Sequence, residues 1–121
     1  IYDFSQGAEF PHSIALANWH AELKTRYPSP PPARPFDPKS LPYAPSGLKL
    51  DVLTPFADAI LLSPEFYLNY AMTETNVAAA VSRGIPESEI RRWCEQSLAP
   101  VFDGAARDVV FRGYFACVSR A

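Results

Sequence analysis

Residues 109–118 read Val-Val-Phe-Arg-Gly-Tyr-Phe-Ala-Cys-Val, and their alternation decides the fold class. Side chains along a strand point alternately to opposite faces. One face of this segment carries Val109, Phe111, Gly113, Phe115 and Cys117. The other carries Val110, Arg112, Tyr114, Ala116 and Val118. Both are largely apolar. A strand apolar on both faces belongs inside a sheet that helices cover on both sides. The segment therefore predicts a central strand near the end of the chain and an α/β class.

Working outward from it, Pro86-Glu87-Ser88-Glu89 opens a helix that turns Ile90, Trp93, Cys94 and Leu98 inward and closes at Pro100. Ser63-Pro64-Glu65 is another helix start, with a cap, a proline at the first position and an acid in the first turn. Thr73 to Asn76 reads as a break and a new cap before a short helix over Val77–Ser82, which Gly84 ends in a left-handed turn. Leu48, Leu50 and Val52 alternate with Lys49 and Asp51 as a strand, and a second short extended run, Asp58 to Leu62, follows Pro55. At the start, Ile1–Phe4 is a short strand. Ser13 caps a helix from Ile14 to about Tyr27, with Leu16, Trp19, His20 and Leu23 on one stripe. The organisation is strand and helix over 1–27, a proline-rich loop over 28–46, and strands and helices over 47–121 that end in the central strand.

Composition bounds the rest. The chain has 121 residues, a formal net charge of −2 and 48% hydrophobic residues, which is ordinary globular composition in the size range of one domain. A slightly acidic chain lacks the electrostatic footprint of a nucleic-acid binder. No apolar run approaches the ~18 residues of a spanning helix. Eight of the 13 prolines lie between Pro28 and Pro45. Each removes a backbone donor and fixes φ, so neither helix nor central strand forms there. The loop reads as a stiff connection pinned by Phe36, Leu41 and Tyr43. PxxP spacings such as Pro32-to-Pro35 also suit an aromatic-lined groove on a protein partner.

The familiar signatures of chemistry are missing. There is no GxGxxG, no GxxxxGK[ST] and no GxSxG, and no two histidines or cysteines have metal-ligand spacing. Cys94 reads as a buried thiol. Whether it pairs with Cys117 depends on tertiary distance. What remains is a set of polar and aromatic residues that a pure core would not choose: His12, His20, Tyr67, Asn69, Tyr70, Thr73, Glu74 and Asn76. The run from Tyr67 to Asn76 offers donors, acceptors and aromatic faces to a small-molecule pocket. It also reads as capping plus packing, and His20 as a histidine at the core edge.

The order of these pieces resembles the C-terminal half of a class I S-adenosylmethionine-dependent methyltransferase. Ile1-Tyr2-Asp3-Phe4 before a polar turn resembles the fifth strand, and the Trp19 helix the helix that follows it in one branch. Leu62-Ser63-Pro64-Glu65-Phe66 followed by Thr73-Glu74-Thr75-Asn76-Val77 is similar to a Leu-Thr-Pro-Glu-Phe … Thr-Gln-Ser-Asn-Val pattern in that branch. Trp93, Leu98 to Phe102 and Val110 to Tyr114 match the closing helix and last strand. The resemblance implies part of a Rossmann-like αβα sandwich whose last strand runs antiparallel between its neighbours. It implies S-adenosylmethionine for a parent protein, a small-molecule methyl acceptor, and substrate contacts among His12, Trp19, Tyr67, Tyr70, Glu74 and Asn76. The family's glycine-rich cofactor loop and ribose-binding acid have no counterpart here, so no cofactor is expected on this chain alone, and no catalytic base can be carried over. The chain reads as about half of a larger domain, cytoplasmic, with reduced thiols and no nucleic-acid or membrane partner. Pairing with a missing N-terminal half or with a second copy would use the Ile1–Phe4 edge. The alternative expectation is a non-enzymatic interaction module that uses the proline-rich loop or that edge.

Overall fold

A computed structural model describes residues 1–31 and 36–121. Its chain runs β1 (Tyr2–Phe4), α1 (Ala15–Arg26), β2 (Leu48–Leu62), α2 (Pro64–Ala71), α3 (Thr75–Ser82), α4 (Glu87–Phe102) and β3 (Arg107–Arg120). The fold is mixed α/β. Its three strands form an open sheet in the order β1-β3-β2, and β3 is antiparallel to both neighbours. The last strand is therefore central, as its two apolar faces required.

The expected two-sided cover is not what forms. Val109 and Phe111 turn one face of β3 toward the helical core. Farther along the same face Phe115 stands opposite Tyr2 and Thr54, and Gly113 opposite Phe4 and Phe56. Residues directly opposite on antiparallel strands share a face, so Tyr2, Phe4, Phe56 and Phe115 form one aromatic patch. Their rings meet in sequence, Phe4 to Phe56 at 5.4 Å and Phe56 to Phe115 at 6.5 Å. No described helix covers them, and Tyr2 and Phe4 are 75% and 58% exposed. The reason is length. A strand of 14 residues extends about 46 Å, whereas the 16 residues of α4 reach only about 24 Å.

Strand β2 corrects a second expectation. Leu48–Leu62 is one strand of 15 residues, not two runs broken at Pro55. It absorbs an irregularity between Leu50 and Val52, where the register against β3 shifts. Pro55 is tolerated because β2 lies at the sheet edge, where an amide facing away from β3 has no strand to pair with. Pro100 corrects a third. It lies inside α4, which continues to Phe102. The bond lost is the one to the carbonyl of exposed Gln96, which water can satisfy. The helix stops instead at Asp103 and Gly104, both left-handed.

The other helix boundaries follow local chemistry. Ser63 Oγ accepts from Phe66 N to cap α2, and Ser13 Oγ accepts from Ala15 N at the head of α1. Gly84 is left-handed just beyond α3, as expected. Between α1 and β2, Tyr43 donates its hydroxyl to Pro38 O at 2.6 Å and accepts from Leu48 N. Leu41 and Tyr43 are half-buried, whereas Phe36 is exposed. The spacing Pro32-to-Pro35 lies outside the described residues.

The core sits between the four helices and the Val109 end of the sheet. Leu16, Leu23, Tyr67, Val77, Ile90, Leu98 and Phe102 are all buried there.

Candidate functional site

Glu74 ends the short link between α2 and α3. It occupies the N-cap position of α3, yet its side chain caps nothing. Both its carboxylate oxygens lie 3.1 Å from His20 Nε2, on α1. Each residue is only 6% exposed. An ionised carboxylate can only accept, so in this geometry His20 donates Nε2–H to Glu74. Sequence order hides the pair, because 54 residues separate its members.

Around this pair the structure gathers most of the residues singled out from the sequence. The Trp19 ring meets the Tyr67 ring edge-on at 5.9 Å, and Tyr67 lies 5.6 Å from Tyr70. Trp19 also stacks on Trp93 at 5.9 Å and donates Nε1–H to Ser97 Oγ at 2.8 Å. Asn76 is fully buried and donates Nδ2–H to Tyr27 O at 3.0 Å, tying α3 to the end of α1. Asn76 is thus neither an N-cap nor a surface polar group. Its Oδ1 has no partner among the described residues. His12 stands apart. It is exposed, on the loop before α1, beside a surface hollow of about 580 Å³ lined by Glu9, Phe10 and Ile14.

The two tyrosine hydroxyls grip the backbone of one residue, Gly7, on both its sides. Tyr67 donates to Gly7 O at 2.6 Å, and Gly7 N donates to Tyr70 Oη at 2.9 Å. A Cβ at Gly7 would meet the Phe111 ring at 2.5 Å, so any larger residue there would have to displace that ring. Burial raises the pKa of both phenols, and the negative charge of Glu74 adds to the rise. Tyr67 in particular stays a proton donor at any ordinary pH.

Cys94 faces the same interior. Burial pushes its thiol up to about 11, with Glu74 adding to the rise. Both cysteines are free, Cys94 buried and Cys117 exposed on β3. Iodoacetamide at pH 8 should label Cys117 within minutes and leave Cys94 unlabelled until denaturant is added. Mass spectrometry of tryptic peptides reads the ratio. Equal labelling of both would show that the α4 core opens freely. The raised thiol also sets a stability window. Its contribution is complete below the ordinary thiol value of 9.0 and is lost as pH climbs toward about 11.

Among the described residues no group of three or more His, Cys, Asp and Glu is placed to hold a metal ion. Nor is any helix among them long and apolar enough to cross a membrane. Comparison with protein-family models, with characterised proteins and with solved structures finds no match for the chain.

Proposed function

We propose that this chain is the acceptor-substrate side of a small-molecule methyltransferase. The observation that supports the reading is the strand arrangement. A central last strand runs antiparallel between two strands that are parallel to each other, and the outer edge of β1 is unpaired among the described strands. This is the arrangement the resemblance implies for the end of a methyltransferase sandwich, with β1 as the strand that continues the sheet. The free thiols go with a cytoplasmic setting.

The residues present do not fit S-adenosylmethionine. A cofactor loop needs adjacent glycines so that the backbone can approach the ligand. Here Gly7 and Gly113 are filled in by Phe111, Asp3 and Phe56, while Gly47, Gly84 and Gly104 are single left-handed turns far apart in sequence. No methyl-transfer step is therefore assigned to this chain. On this reading Tyr70, which is half-buried, contacts the acceptor, and His12, which lies apart, does not. Trp19, Tyr67, Glu74 and Asn76 form the rigid wall behind it, and methyl transfer gains mainly from positioning of that kind.

Calorimetry tests the reading in two arms. The chain alone should give no heat with S-adenosylmethionine. The same chain extended by the residues encoded upstream of Ile1 should bind it at about micromolar affinity. Binding by the chain alone, or none by the extended protein, overturns the proposal.

The open aromatic face and the β1 edge favour a second reading, a module that pairs with another protein or a second copy. Asp3 bears on it, because its Oδ1 accepts the Phe4 amide at 2.9 Å and so occupies an edge donor. Light scattering that shows a stable dimer of the chain alone would support this reading over the first.

A further inference from the structure

Helices α2 and α4 are separated on their outer side by an open cleft of about 500 Å³, a volume usual for small-molecule sites. The helices run antiparallel along it. Asn69, near the end of α2, bonds to Arg91, near the start of α4, while Pro64 and Gly104 line the opposite end. Leu68 and Leu98 supply apolar walls. The charges are ordered. Arg91 is fixed at one end, with Nη1 on Asn69 Oδ1 at 3.0 Å and Nη2 3.9 Å from Glu87. Glu95 follows one turn along, about 6 Å from Arg91 by helical spacing, and Glu65 lines the wall across from it. Arg91 pairs backward with Glu87, and Glu95 has no ion-pair partner among the described residues.

We propose that this cleft binds a free α-amino acid with an apolar side chain. A guanidinium and a carboxylate one helical turn apart match the carboxylate and ammonium of such a ligand. The Arg91 fork takes the carboxylate through the N–H groups that Asn69 and Glu87 leave open. Glu95, with Glu65 opposite, takes the ammonium. The side chain then lies along Leu68 and Leu98 toward Gly104 at the far end of the cleft. The site is independent of the methyl-transfer reading, because none of its residues belongs to the Trp19–Asn76 cluster.

The test is a titration of the whole chain with L-phenylalanine, followed by amide NMR. Saturable shifts are expected at Asn69, Arg91, Glu95 and Gly104, and none at Gly113 on the distant sheet. N-acetyl-L-phenylalanine, which lacks the ammonium, and 2-phenylethylamine, which lacks the carboxylate, should each bind about tenfold more weakly. Arg91→Gln and Glu95→Gln should each weaken L-phenylalanine by a similar factor, with an unchanged circular dichroism spectrum. Absence of saturable shifts with L-phenylalanine overturns the proposal. So does 2-phenylethylamine binding as tightly as the amino acid, since Arg91 would then recognise nothing.

Discussion

Glu74→Ala should cost about 1–3 kcal/mol of folding stability, because it leaves the buried Nε2–H of His20 without its acceptor. Domains of this size are stable by roughly 5–15 kcal/mol in total, so the variant loses a measurable share of its margin. Three elements feel the loss together. The pair ties α1 to the link between α2 and α3, and Asn76, two residues on, ties α3 to Tyr27. Urea denaturation followed by tryptophan fluorescence reads the change directly, since Trp19 is one residue from His20. Glu74→Gln should cost less, because its amide oxygen still accepts from Nε2. The double variant His20→Leu, Glu74→Leu should recover much of the loss, since replacing both members of a buried pair removes the stranded group. A Glu74→Ala midpoint within error of the parent would show that the pair holds nothing together.

The second large effect belongs to Gly113. A Cβ at this position would lie 2.5 Å from Asp3 O and 2.7 Å from Phe56 Cζ. The first contact is backbone and cannot rotate away. Gly113→Ala should therefore push β1 off β3, at a cost of about 1–3 kcal/mol for an overpacked site. The damage should be local. Hydrogen exchange should speed up at the Ala116 and Ser5 amides, which bond across the β1–β3 boundary. The amides of α4 should keep their protection. Uniform loss of protection, or none, would refute this account of the glycine. The variant also bears on function. If β1 continues a larger sheet, Gly113→Ala should abolish that pairing while the helical core stays folded.

Much of the fold was legible along the chain because its signals are local. The Ser63-Pro64-Glu65 start, the Gly84 turn and the alternation over Val109–Val118 each act within a few residues, where dihedral preference and hydrogen-bond chemistry decide the outcome. Pro55 and Pro100 misled for the same reason. A proline states that one donor is missing, but only the neighbouring strand or solvent decides whether that donor was needed. Edge placement spared β2, and water access to Gln96 spared α4.

The candidate site was legible as a list and not as a site. Tyr67, Tyr70, Glu74 and Asn76 stood out as residue types that a core rarely chooses, Trp19 only through the resemblance, and the structure gathers these five and leaves His12 apart. Their partners were hidden. Nothing in the spacing of His20 and Glu74 announces a buried hydrogen-bonded pair, and nothing near Gly7 announces that two tyrosines will hold its backbone. Burial fixes these roles, since a polar group withdrawn from water must find a partner wherever the chain passes.

By itself, then, the alternation of Val109–Val118 determined that the last strand is central, because period two with apolar residues on both faces suits an interior strand best. It did not determine what covers those faces. Only the tertiary structure decided that the helices shield Val109 and Phe111 and leave Phe115, Phe56, Phe4 and Tyr2 open. That outcome depends on the reach of a helix compared with the much greater reach of a strand, a comparison between elements that no single segment contains.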